Sequence, residues 1–161
     1  MNTMVDYRMA TIADLTLLLE FVKEFHEGEQ LPFDAQADRK ALEDLLLNES
    51  LGQAWLIQQG HEAIGYILLT LGYSIEYRGK DAFVDEFYLR PAYRRQGIGT
   101  MTLAFAEEVC RALGVQALHL EADFENVDAQ KLYHKVGYQR HDRFLMTKWL
   151  AETVPDSSVD A

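Results

Sequence analysis

Apolar residues recur along this chain in two rhythms, one near 3.6 residues and one near 2. Residues 5–9 form a short extended run. Thr11 stands where an N-cap would, and Leu15, Leu18, Leu19, Val22 and Phe25 then fall on one helical face. The stretch Glu27-Gly28-Glu29-Gln30-Leu31-Pro32 ends that helix. A second helix is predicted over 35–48, with Leu42, Leu45 and Leu46 inward. Residues 54–59 and 62–71 read as strands joined at Gly60-His61, an antiparallel hairpin. Residues 72–80 are a polar connection, and the apolar run 82–89 reads as a buried central strand. A long amphipathic helix follows over 97–113, with Ile98, Phe105, Val109 and Leu113 inward and Gly114 as its stop. Residues 116–121 form a strand and 128–135 a short helix stopped at Gly137. Segments 138–140 and 144–149 then complete the sheet as a hairpin. There is no internal repeat.

Composition narrows the class. A chain of 161 residues buries a core without disulfide or metal staples. Its 48% hydrophobic and 25% charged residues are ordinary globular values. One domain is expected over 1–150. Residues 151–161 carry Glu152, Asp156 and Asp160 among Pro155, Ser157 and Ser158, and read as a flexible acidic tail. The single cysteine, Cys110, excludes an intrachain disulfide and falls on the apolar side of its helix, a buried small residue rather than a reactive thiol. The opening residues hold no long apolar run, so no signal peptide is expected. No stretch approaches the ~20 apolar residues that span a bilayer. A cytoplasmic protein with no membrane partner is the expectation. The histidines show no zinc-ligand spacing, so no metal is expected. A net charge of −11 argues against a nucleic-acid partner and is compatible with a cationic substrate.

The densest chemical signal is Arg94-Arg95-Gln96-Gly97-Ile98-Gly99-Thr100, between the central strand and the long helix. A helix begins with N–H groups that have no intrahelical acceptor, and the macrodipole adds positive charge there. A pyrophosphate binds such an end directly. Two arginines reinforce the site in an otherwise acidic chain. The dinucleotide pattern G-x-G-x-x-G fails at Thr102, and no Gly-Lys-Ser/Thr closes a P-loop.

What remains, R-x-x-G-x-G after a strand, resembles the acetyl-CoA pyrophosphate loop of the GCN5-related N-acetyltransferases (GNAT). Arg94, Gly97 and Gly99 fill its defined positions. The run from Asp85-Glu86-Phe87-Tyr88-Leu89 to Tyr93 looks like that family's central strand and its exit, and is similar to the Glu-Asp-Phe-Phe-Val run of diamine acetyltransferases. The segment from Asn126 through Ala129 and Tyr133 to Gly137-Tyr138 resembles its Asn-x-x-Ala-x-x-x-Tyr-x-x-x-Gly-Phe/Tyr motif.

The resemblance implies an α/β (α+β) GNAT-like fold. A twisted, mixed, mostly antiparallel sheet of about six to seven strands would be flanked by about four helices. It implies acetyl-CoA as cosubstrate, with the pyrophosphate at Arg94, Arg95, Gln96, Gly97, Ile98, Gly99 and Thr100. The pantetheine arm would lie along Phe87, Tyr88 and Leu89, beside Asn126, which serves equally well as a helix cap. The implied activity is acetyl transfer to a primary amine of a small, cationic acceptor by direct attack in a ternary complex. A protein or peptide amine as acceptor, and a non-catalytic acyl-CoA-binding module, remain alternatives.

Carboxylates in a buried strand are expensive unless paired or used. Asp85 and Glu86 are therefore candidates to take the amine proton, or to pair with an arginine such as Arg78 or Arg90. Strand alternation would send only one of them into the cleft; Glu86 is preferred and Asp85 retained. Tyr133, in register with Asn126, Ala129 and Gly137, is the candidate general acid for the departing thiolate. His26, His119, His134 and His141 have no assigned role. A homodimer is expected through the exposed edge of the terminal hairpin, residues 138–149.

Overall fold

The computed structural model describes residues 4–152. Its strands are β1 (Val5–Met9), β2 (Gly52–Gln59), β3 (Glu62–Ser74), β4 (Gly79–Leu89) and β5 (Ala117–His119). Its helices are α1 (Leu15–Gly28), α2 (Ala35–Leu47), α3 (Ile98–Ala112) and α4 (Val127–Lys135). The strands form one sheet in the order β1-β2-β3-β4-β5, antiparallel except for the parallel β4–β5 pair.

Both faces of the sheet are covered, and β3 records this. Residues 64–69 are buried without a break, the pattern of a strand sandwiched between two layers. Tyr66 and Leu68 pack with Leu18, Phe21 and Val22 of α1 and Leu42 of α2. Ile67 and Leu69 pack with Ala106 and Cys110 of α3. Asp34 caps α2 by accepting from the N–H groups of Gln36 and Ala37 at 3.0 and 2.9 Å. Burial also raises the Cys110 thiol to about 11, which fits an inert residue.

Several expectations need correction. The sheet has five strands among the described residues, not six to seven. No terminal hairpin forms over 138–149: residues 141–152 are exposed and carry no ladder. β5 is only three residues long, too short to template two further strands. Arg143 instead closes a bidentate ion pair with Glu76, at 2.9 and 2.8 Å, beside the β3–β4 connection. That connection is itself shorter than the polar stretch 72–80, because β3 runs on to Ser74 and β4 begins at Gly79. On α3 the buried stripe is Ile98, Thr102, Leu103, Ala106 and Cys110. Phe105 and Val109 lie beside it, half-buried, and Phe105 stacks on Tyr7 with ring centroids 4.1 Å apart. Thr11 precedes a single 3-10 turn, Ile12–Asp14, rather than α1 itself. The expected acidic tail lies outside the described residues from 153 onward.

Candidate active site

The β4–β5 ladder is short. Asp81, Ala82 and Phe83 pair with Ala117, Leu118 and His119, and β5 then ends. Along residues 84–89 the β5-facing edge of β4 has no strand partner among the described residues. Unpaired peptide groups inside a fold are costly unless something satisfies them. The side chains of Phe87, Tyr88 and Leu89 face the core instead. Tyr88 sits among Phe21, Phe25 and Tyr66, with ring centroids 6.0–6.3 Å away. Leu89 packs with Ile57, Ile64 and Ile98. Phe87 comes within 3.9 Å of where a side chain on Gly99 would stand. What residues 87–89 offer a ligand is therefore backbone.

The open edge leads into the loop. A 3-10 turn over Pro91–Tyr93 follows the strand. Arg94 Nε then donates to the Leu89 carbonyl at 2.8 Å, and its guanidinium carbon lies 5.5 Å from the Tyr88 ring centroid. Gln96 Nε2 donates to the Ala92 carbonyl at 3.0 Å. Arg95 takes φ +60° and Gly97, the N-cap of α3, φ +81°. Left-handed backbone at 97 suits glycine, and no atom lies within 4 Å of where a Cβ there would project. The first intrahelical bond is Met101 N–H to the Gly97 carbonyl, 3.2 Å. The amides of Ile98, Gly99 and Thr100 precede it, so helix geometry gives them no acceptor. Gly99 differs from Gly97: a Cβ there would meet Leu132 Cδ2 at 3.5 Å, an ordinary contact.

Glu86 and Asp85 lie beside this opening, at an irregularity. Leu68 faces Glu86 and Leu69 faces Val84, so Asp85 is an extra residue opposite no partner. Such a bulge breaks side-chain alternation and re-aims what it carries. Simple strand alternation is therefore not what orients the two carboxylates here. Glu86 accepts from Tyr66 Oη at 3.0 Å and lies 2.5 Å from His26 Nε2. The Glu86 bond, opposed by burial, raises the His26 pKa. Asp85 is open to solvent on one side. Crowding by protein atoms, then the charges of Glu86 and Glu121, push its carboxyl above the usual range. Neither carboxylate pairs with Arg78 or Arg90; Arg90 closes on Glu24 at 2.9 Å, where Tyr88 also donates.

Tyr133 lies half-buried on α4, its ring 6.1 Å from that of Tyr138. Burial, with a smaller contribution from Glu29 at the end of α1, raises its phenol. Asn126 caps α4 by accepting from Ala129 N–H at 3.1 Å. Sequence reasoning left His26 without a role and did not single out Tyr66. They are 60 and 20 residues from Glu86, and only the packing of α1 and β3 on β4 brings them to it. Among the described residues no group of acidic, histidine or cysteine side chains could hold a metal.

The model of the acetyltransferase (GNAT) family matches residues 17–138. The chain belongs to that family. It is an acyltransferase of the GNAT type, and GNAT enzymes use acetyl-CoA as cosubstrate. Among its curated relatives is the aminoalkylphosphonate N-acetyltransferase of Salmonella typhimurium, 29% identical over 86% of this chain and 88% of that protein. Another is the thialysine N-epsilon-acetyltransferase of Bos taurus, 28% identical over 82% of each. An integron cassette protein from the mobile metagenome of Cole Harbour Salt Marsh superimposes with TM-score 0.81, 35% identity and 93% coverage of both chains. A predicted acetyltransferase of Clostridium acetobutylicum, solved with acetyl-CoA, shares the fold at TM-score 0.77 and 20% identity, over 90% of this chain and 96% of that one. The residues of this GNAT enzyme fit acetyl-CoA: an unpaired strand edge can receive an amide-bearing arm, and an uncapped helix start can receive phosphates.

Proposed function

We propose that this GNAT domain, spanning residues 1–150, transfers an acetyl group from acetyl-CoA to the primary amine of a small, cationic acceptor. Attack is direct, within a ternary complex. One observation carries the reading: the open edge of β4 ends at the uncapped start of α3, with two carboxylates at its bulge. The names of the aminoalkylphosphonate and thialysine enzymes support a small amine as acceptor.

The roles follow from chemistry. Arg94, Arg95, Gln96, Gly97, Ile98, Gly99 and Thr100 hold the pyrophosphate, so binding energy is collected far from the reacting carbon. The backbone of Phe87, Tyr88 and Leu89 aligns the arm, and an amide there polarises the thioester carbonyl. Asn126 lies beside the arm. Acetyl-CoA supplies the activated acyl carbon. An alkylamine of pKa ~10.4 is neutral only about 0.04% of the time at pH 7, so a carboxylate, Asp85 or Glu86, takes its proton. Tyr133 returns a proton to the departing sulfur. The raised phenol of Tyr133 keeps that proton available at neutral pH.

The enzyme works in the cytoplasm as a homodimer. The exposed run Phe144, Leu145, Met146, Trp149 and Leu150 supports a second copy as its cover. Thiol release from acetyl-CoA, followed across a panel of diamines, aminoalkylphosphonates and lysine analogues, tests the activity. Release with none of these amines, while acetyl-CoA still binds, would overturn it.

A further inference from the structure

Both oxygens of Glu86 are already engaged. Tyr66 Oη donates to Oε1 at 3.0 Å, and His26 Nε2 lies 2.5 Å from Oε2. The other ring nitrogen of His26, Nδ1, lies 3.0 Å from the carbonyl oxygen of Pro32. A carbonyl only accepts, so Nδ1 carries a hydrogen. Nε2 faces a carboxylate, which also accepts. Both nitrogens donate together only in the imidazolium. The groups around the ring agree with that charge. Glu86 and Asp85 face it from β4, Asp38 from α2 and the Pro32 carbonyl from the α1–α2 connection. Tyr66 of β3 meets it through Glu86, and the rings of Phe25 and Phe33 are its apolar neighbours, at 5.8 and 6.4 Å. Every formal charge on those neighbours is negative.

Asp85 presents the contrary arrangement. It is the unpaired residue of the bulge, it has no hydrogen-bond or ion-pair partner among the described residues, and solvent reaches it. A carboxylate that must accept a proton in each turnover needs that freedom. One held by two donors does not have it.

We propose that protonated His26 is a positioning residue. Held in turn by the Pro32 carbonyl, it fixes Glu86 between itself and Tyr66, and so leaves Asp85 as the carboxylate that receives the acceptor's proton. The inference rests on the acetyl-transfer reading and divides the labour within it. The acceptor ammonium gives one proton to Asp85, directly or through water, and Asp85 passes it to solvent. The free amine forms the new C–N bond, and the C–S bond breaks. Tyr133 protonates the thiolate and is reprotonated by the second proton of the nitrogen. The sum is one amide, one thiol and one proton released.

Nitrogen NMR of the histidine-labelled full chain tests the clamp without turnover. At pH 7 the His26 ring is expected to show both nitrogens protonated, and to revert toward a neutral ring in Glu86→Gln. A neutral His26 ring in the wild type at pH 7 would overturn the clamp. Kinetics test the division. Asp85→Asn should lower kcat/KM by roughly 10²–10⁴-fold and remove its acid limb. Glu86→Gln should lower it less and keep that limb; the reverse pattern overturns the assignment. His26→Gln, which still donates to Glu86 but cannot titrate, should retain more activity than His26→Leu. The ratio of wild type to His26→Gln should fall as pH rises through the His26 pKa; a ratio flat with pH would overturn the positioning role. Should the wild type acetylate no amine, the acetyl-transfer reading and the role of Asp85 fall together, while the ring's protonation still decides the clamp.

Discussion

Gly65 of β3 lies so close to Tyr88 of β4 that a Cβ at 65 would stand 2.0 Å from the Tyr88 carbonyl oxygen. The obstacle is backbone, so no rotamer change relieves it. Gly65→Ala must push the two strands apart at the end of β4 that leads into the 94–100 loop. Overpacking of this kind costs typically 1–3 kcal/mol. The variant should melt several degrees lower and bind CoA more weakly, by thermal denaturation and calorimetry. Wild-type values for both would mean that the strands yield without consequence.

The two loop glycines should separate experimentally. Gly97 holds φ +81°, and the space beyond its Cα is open. Gly97→Val forces a branched side chain into left-handed backbone, which costs about 1–2 kcal/mol even before branching is counted, and projects into the space proposed for the pyrophosphate. CoA binding should be lost while the circular dichroism spectrum is kept. Gly99→Ala gains only an ordinary contact with Leu132 and should bind within a few-fold of wild type. Unchanged affinity in Gly97→Val would remove the anchor.

Tyr133→Phe keeps the ring and loses only the hydroxyl. Folding and acetyl-CoA affinity should persist, and turnover should fall by roughly 10²–10⁴-fold, the range for loss of a general acid. Near-normal turnover on a good acceptor would leave Tyr133 as a packing residue against Tyr138.

The His26–Glu86 pair gives stability a pH signature. The His26 pKa is raised in the fold by the Glu86 bond. The contribution is therefore complete below the unfolded value of about 6.5 and is lost as pH rises through the higher folded value. The gap in melting temperature between wild type and His26→Leu should be widest below about pH 6 and narrow toward alkaline pH. A gap that widened with pH would reverse the sign and contradict the pairing.

Sedimentation at rising concentration should show a dimer. The double change Met146→Glu with Leu150→Glu should keep the chain monomeric. A wild type that stays monomeric throughout would leave the exposed apolar run without the second copy as its cover.

Periodicity located every α-helix and all five strands of the described residues, β5 within a longer expected run, because amphipathic faces that pack on one sheet must repeat at helical or strand spacing. It failed at the C-terminus: alternation in 144–149 looks like a strand, but a strand also needs a neighbour, and β5 offers three residues. The loop was legible because glycines at 97 and 99 are a local signal. Asp85 and Glu86 were legible as chemistry but not as geometry, since the bulge is defined by register with β3 and not by the two residues themselves. His26 was invisible as a partner: its position on α1 is ordinary, and its meaning comes from Glu86, 60 residues away.

The unpartnered edge along residues 84–89 has a consequence beyond catalysis. On the proposed placement of the coenzyme, a strand left half-hydrogen-bonded makes the folded chain less secure when alone than when acetyl-CoA or CoA lies against it. Because these molecules bind the folded form, they stabilise it by mass action, by about 2.7 kcal/mol at one hundred times their dissociation constant. Resistance to proteases then rises and falls with the supply of coenzyme. In a cell short of CoA the same chain would be degraded sooner, so that its abundance follows the pool it draws upon.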